Sequence, residues 1–200
     1  MAPKIVDKKM KRLEIAAVAV VLFGKYGLEK VTIDDVAEEA GIGKGTVYEY
    51  FRNKDALIHG AFEILLAHME EEMAKSMDLT ETPLDALKKS TFTLAEVFEH
   101  VGDQYGFFME YMLLLSRGQA DASPLRHLLE AYRKMVAGLL EAAIDAGQVR
   151  ADIDIANTAA AYAAWFDGAI FHWMTLPDPD MKTMAIAFWH FFSAGITRQQ

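Results

Sequence analysis

Between Ala40 and Leu57 the chain reads AGIGKGTVYEYFRNKDAL, a run that gathers three glycines, the cations Lys44, Arg52 and Lys54, and the aromatics Tyr48, Tyr50 and Phe51. Glycine beside lysine suits phosphate, because bare backbone N–H groups and an ammonium can close on the same oxygens. A nucleotide's phosphates would suggest an enzyme, and a nucleic acid backbone a binding protein. A nucleotide P-loop needs Gly-x4-Gly-Lys-Ser/Thr after a strand, and a dinucleotide turn needs Gly-x-Gly-x-x-Gly inside a βαβ unit. Gly41-x-Gly43-x-Gly45 has neither spacing, and helical periodicity stands on both sides of it. The nucleotide reading fails on pattern and on context.

A helix-turn-helix accounts for the same residues. Two helices crossing steeply over a short turn need a small residue at the crossing, a glycine at the turn and an apolar residue facing inward. Ala37, Gly41 and Val47 supply these, with Val36, Ile42 and Phe51 completing the inner face. Lys44, Gly45, Thr46, Tyr48 and Tyr50 are left outside: a cation, a point of close approach, a hydroxyl and two phenols. All suit phosphates or base edges. The plainer alternative is a surface helical hairpin with incidental tyrosines.

Apolar residues recur at three and four along nearly the whole chain, which predicts an all-α fold of about nine helices. The first covers Lys8 to Tyr26 and stops at Gly27. Thr32 caps the second, which Gly41 ends, and the third runs from Lys44 to Tyr50. Asn53 caps a long fourth helix with the stripe Ile58, Phe62, Leu65, Leu66, Met69 and Met73. From Leu79 the organisation changes. Thr82-Pro83 opens a helix with Leu84, Leu87, Leu94 and Phe98 inward, and an aromatic segment follows from Tyr105 to Leu115. Ser123-Pro124 opens a helix to Ala146. Two more cover Ile155 to Leu176 and Asp180 to Ile196, parted by Pro177-Asp-Pro179.

Charge divides the chain the same way. Residues 1–54 carry ten Lys and Arg against eight Asp and Glu, a balance of +2, while residues 55–200 carry ten against twenty-one, a balance of −11, giving −9 in all. We therefore expect a DNA-binding domain over 1–54 and a ligand-binding and dimerisation domain over 55–200. Lys4, Lys8, Lys9, Lys11 and Arg12 form a basic arm, either a DNA-binding lead-in or a solubilising tail. There is no cysteine, hence no disulfide framework or thiolate metal site. The apolar run Ile15 to Phe23 is too short to span a bilayer and no cleavage site follows it, so the expected location is the cytoplasm.

The run TIDDVAEEAGIGKGTVYEYFRNKDAL, preceded by AAVAVVLFGKYGLEKV, resembles the DNA-binding domain of the tetracycline-repressor (TetR) family of transcriptional regulators. The resemblance covers Ile15 to Leu57; beyond it only helix number and length agree. It implies a homodimeric, one-component regulator, usually a repressor, released from a palindromic operator by a small molecule. It also implies that Thr32 touches a phosphate and that Lys44, Gly45, Thr46 and Tyr48 face the major groove or its walls. Tyr50 would meet the backbone, and Lys54 a phosphate at the start of the fourth helix. Gly43 stands where the family often has serine, and glycine caps a helix less strongly. Glu49 is a second departure, since a carboxylate there repels phosphate; it either accepts from a cytosine amino group or is solvated beside Arg52.

The acidic half admits a sensor, a dimer platform or an enzyme. The eighth helix is apolar nearly all round and rich in small residues, so it must be buried on every side. Ala160, Ala164 and Gly168, with Phe188, Phe191 and Phe192 of the last helix, are the expected dimer interface, a four-helix arrangement that is also how the family pairs. A central helix buried within a monomer is the alternative. Phe62, Phe92, Phe98, Phe108, Tyr111, Met112, Tyr132, Tyr162, Trp165 and Phe166 are the candidate lining of an effector pocket. Each also suits a core, and few basic residues lie nearby, so the effector is expected to be apolar, neutral or cationic. His59-x3-Glu63 and His68-x3-Glu72 each set two potential metal ligands one turn apart, but no Glu-x-x-His occurs, which excludes the di-iron carboxylate bundle. No nucleophile–base constellation can be read from spacing. No cofactor, metal or catalysis is expected. The competing reading is a helical carrier or enzyme without DNA binding.

Overall fold

The computed structural model describes residues 7–75, 82–101, 104–176, 178 and 180–197. Lys4 of the basic arm and both prolines of the breaker Pro177-Asp-Pro179 lie outside them. Among the described residues the fold is all-α. In order the helices are α1 (Lys8–Tyr26), α2 (Ile33–Glu39), α3 (Lys44–Tyr50), α4 (Lys54–Lys75), α5 (Pro83–Val101), α6 (Gln104–Ser116), α7 (Ser123–Asp145), α8 (Ile155–Thr175) and α9 (Met181–Ile196). None of them is long and apolar enough to cross a membrane.

The chain divides into two compact units. One comprises residues 1–68 with 101–124, the other residues 69–100 with 125–200. The first therefore holds α6 as well as the three N-terminal helices, and the reason lies in α1. One face of α1 buries Ile15, Ala16, Ala19, Val20 and Phe23, and Phe23 meets Phe107 of α6 with ring centroids 5.4 Å apart. A Cβ on Gly106 would stand 3.5 Å from the Gly24 carbonyl oxygen, so the two helices cross backbone to backbone. Past the end of α1, Gly27 turns left-handed at φ 84°. There the carboxylate of Glu110 on α6 accepts from the Leu28 N–H at 2.6 Å. A buried loop amide needs such a partner, because desolvating it unpaired costs about 1–3 kcal/mol.

The first turns of α4 close this unit. Phe62 stacks on Tyr111 at 3.6 Å between centroids, and Ile58, Leu65 and Leu66 of the expected stripe are buried, as are Leu57 and Ala61 beside it. Gly60 is required there, because its missing Cβ would lie 2.6 Å from the buried ring of Phe51. The Arg12 guanidinium sits over the same ring, 4.7 Å from its centroid.

In the second unit α8 starts at Asp154, whose carboxylate caps Asn157 N–H, and α9 at Asp180, which caps Thr183 N–H. Arg150 N–H donates to the Ile196 carbonyl at 2.9 Å, tying the turn before α8 to the end of α9. Leu87, Leu94, Val136, Leu140, Ala143, Val149, Ala159 and Tyr162 form its core.

Candidate nucleic-acid interface

The reading head is built from α2, a four-residue turn from Ala40 to Gly43, and α3. Thr32 and Asp35 make a reciprocal capping box at the start of α2. Asp35 accepts from the Thr32 backbone N–H at 2.7 Å and from the Thr32 hydroxyl at 2.7 Å, which holds its carboxyl below the ordinary carboxylate value. At the other end Gly41 is left-handed at φ 62°. Its N–H donates to the Glu38 carbonyl, and the Ile42 N–H to the Ala37 carbonyl. That pair of bonds is the Schellman ending, which glycine permits because it carries no Cβ. Ala37 and Val47 are buried where the helices cross, as are Val36 and Phe51. Gly43 opens α3 with no side-chain cap.

This geometry sends Lys44, Gly45 and Tyr48 outward on one face of α3. All three are exposed, and the Tyr48 ring is 46% accessible, unusual for an aromatic with no role in packing. Thr46 and Tyr50 are half-buried at its flanks, and Lys54 is half-buried at the start of α4. Three of the seven expected contact residues already hold polar partners. Lys44 Nζ is 2.8 Å from the Asp34 carboxylate, a bond that raises the lysine's pKa. Lys54 Nζ donates to the Glu29 carbonyl at 3.3 Å. The Thr32 hydroxyl gives its proton to Asp35. Asp34 as the partner of Lys44 was not found from sequence; its signal is only a carboxylate in the first turn of α2, where it also suits the helix dipole.

The candidate pocket residues fall into both compact units. In the first, Phe62 and Tyr111 are buried against each other, and Phe108 and Met112 are half-buried. The Tyr111 phenol shares a 2.8 Å hydrogen bond with His59 Nδ1 and donates to the Asp121 carbonyl at 3.3 Å. Burial, then the carboxylates of Asp121 and Glu63, push its pKa up to about 12. His59 Nε2 lies 3.6 Å from Glu63, the partner its spacing predicts. Tyr111 lines a cleft of about 810 Å³ that also involves Arg52, Asp55, His59, Leu114 and Gln119. In the second unit Tyr132, Tyr162 and Phe166 are buried, and Phe92 and Trp165 half-buried. The side chain of Phe98 lies outside the described residues. Around Tyr162 the structure gathers two hydroxyls that sequence reasoning missed, those of Ser90 and Thr91 on α5.

The expected dimer residues divide by direction. Phe188 stacks on Trp165 at 4.0 Å, and Phe192 meets Tyr162 at 5.0 Å, so both rings are engaged within the chain. Ala160 is half-buried, Ala164 and Gly168 are exposed, and Phe191 is 81% accessible. Phe171 and Ile186, at 60% and 53%, are exposed on the same two helices.

Residues 15–61 match the family of bacterial regulatory proteins named for tetR. The HTH-type transcriptional repressor KstR2 of Rhodococcus jostii is 28% identical over 152 residues, which cover 74% of this chain and 72% of that protein. The fatty acid metabolism regulator protein of Bacillus subtilis is 21% identical over 150 residues, covering 74% and 76%. Among solved structures, a TetR transcription regulator from Haloarcula marismortui superposes with a TM-score of 0.84 at 19% identity, over 95% of this chain and all of that one. With its helix-turn-helix head, its relatives and its fold in agreement, the chain carries over residues 15–61 the N-terminal domain of the tetR family of bacterial regulatory proteins, and the proteins it is similar to are regulators of transcription.

Proposed function

We propose that the protein is a homodimeric repressor that holds an inverted-repeat operator and releases it when a small, largely apolar effector binds. The observation that carries the DNA half is the outward face of α3, where Lys44, Gly45 and Tyr48 stand clear while Val47 anchors the helix from within. Lys44, Thr46 and Tyr48 enter the major groove. Thr32, Tyr50 and Lys54 set the register on phosphates, with Gly45 allowing close approach. DNA binding belongs to residues 1–54, and sensing and pairing to residues 55–200.

Pairing is supported by the bare face of α8 and α9. Ala164, Gly168, Phe171, Ile186 and Phe191 would leave an apolar surface in water on a monomer, and such a surface marks an association site. Two copies meeting there, with Ala160 at the margin and Phe188 and Phe192 supporting from behind, form a four-helix seam with two-fold symmetry. Their recognition helices then address successive major grooves about 34–36 Å apart. The effector reading is supported by the aromatic interior of residues 55–200 and by a relative named for fatty acid metabolism. Helix α4 begins beside the reading head and continues into the second unit, so a ligand that favours one setting of α4 weakens the operator complex by its differential affinity for the two states.

Footprinting on genomic fragments tests this reading. A short protected palindrome, lost in the Lys44→Ala, Tyr48→Ala double variant, is the expected result. Diffuse protection without symmetry would overturn the operator-bound dimer.

A further inference from the structure

The interior of the second unit holds a polar cluster where the rest of the core is apolar. Ser90 and Thr91, both buried on α5, meet the Tyr162 phenol of α8. The Leu87 carbonyl accepts from Ser90 at 2.8 Å and from Tyr162 at 2.8 Å. Thr91 completes the set by bonding Tyr162. The fourth hydroxyl is different. Tyr132 of α7 is 8% accessible, its ring 6.4 Å from that of Tyr162. Its oxygen is sealed from solvent and lacks a hydrogen-bond partner, alone in this respect among the described side chains. Ser90 and Tyr162 lie near enough to act on its ionisation through weak hydrogen bonding, yet neither meets it at full hydrogen-bond geometry. Burial raises the pKa of both phenols, so both stay protonated and able to donate.

A buried phenol left unpaired is costly, and an apolar side chain would fill the same space without that cost. Phenylalanine would do so at Tyr132. We infer that the Tyr132 hydroxyl is the polar anchor of the effector site, and that the effector is a neutral, mainly apolar molecule carrying a hydrogen-bond-accepting oxygen such as a ketone. This inference rests on the proposal that residues 55–200 sense a ligand. The cluster offers four hydroxyls and one carbonyl, all neutral, so it selects an uncharged oxygen over a carboxylate. Phe188 and Phe192 stand 5.5 and 5.0 Å from the Tyr162 ring and supply an apolar wall. Because the hydroxyl is sealed, a ligand reaches it only as neighbouring rings give way. The ligand-bound arrangement then satisfies a donor that the free one leaves unmet, and this is the differential interaction a switch needs.

Three probes on one skeleton test the anchor in the full-length protein: 2-acetylnaphthalene, 2-ethylnaphthalene and 2-naphthoate, titrated against wild type and Tyr132→Phe. The ketone is expected to bind about tenfold more tightly than the hydrocarbon, and the carboxylate least well. Tyr132→Phe should erase the ketone's advantage, leave the hydrocarbon's affinity unchanged, and leave the melting temperature of the free protein equal or higher. Equal binding of ketone and hydrocarbon, or an advantage that survives Tyr132→Phe, overturns the anchor while leaving an apolar sensor standing. A lower melting temperature in Tyr132→Phe also overturns it, because the hydroxyl then has a structural partner such as a buried water. No binding by any probe removes the anchor and the sensor together.

Discussion

Single atoms decide two features, one beside the reading head and one within it. Gly60 sits inside α4, where glycine costs about 1 kcal/mol of helix stability against alanine. The Phe51 ring occupies the space a Cβ would need, 2.6 Å away, and that ring is itself buried. Overpacking of this kind costs about 1–3 kcal/mol, so the clash outweighs the gain in propensity. Gly60→Ala should lower stability in urea unfolding, and a stabilised variant would show that Phe51 moves freely. The second feature is the Lys44–Asp34 pair, exposed on both sides. In water it adds little to stability, but it occupies the ammonium that phosphate would take. Asp34→Asn should therefore tighten DNA binding and steepen its salt dependence by about one counterion. An unchanged slope would mean that Lys44 never leaves Asp34 for a phosphate.

At the scale of elements, the helix ends carry the pH dependence. Asp154 accepts from the Asn157 backbone and then from its side chain, and Asp180 does the same with Thr183, so both carboxyls are held below the ordinary 3.8. A carboxyl whose folded pKa is depressed adds stability above its unfolded value and loses it as pH falls through the folded one. Stability should thus decline below pH 3.8, and Asp154→Asn, which keeps an acceptor but no charge, should flatten that limb with little change at neutral pH. An unaltered acid limb would place the titration elsewhere. These ends were also the most legible part of the sequence. Gly27, Thr32 and Gly41 mark boundaries by local chemistry, so α1 ends just before Gly27 and α2 lies between Thr32 and Gly41, as their caps predict. What stayed illegible is long-range. Nothing local says that Glu110 holds the Leu28 amide 82 residues away, or that Ser90 and Thr91 turn inward to Tyr162. A periodic stripe marks Phe188, Phe191 and Phe192 as apolar, but only packing against Trp165 and Tyr162 separates the two rings turned inward from the one left bare.

For the whole molecule, the bare face of α8 and α9 and the outward face of α3 make one joint claim, that two chains read two half-sites. Phe191 touches solvent over 81% of its surface, so charging it disturbs little within the chain. Phe191→Glu should yield a monomer in sedimentation with unchanged helix content, and an intact dimer would remove this face from the interface. The most direct test of the central claim is selection of bound sequences from a random duplex pool, followed by titration at two salt concentrations. The account predicts an enriched inverted repeat with half-sites one helical turn apart, about 10 base pairs, lost when Lys44 and Tyr48 become alanine. Weak, steeply salt-dependent binding with no enriched sequence would contradict it, leaving the basic head attracted to phosphate alone.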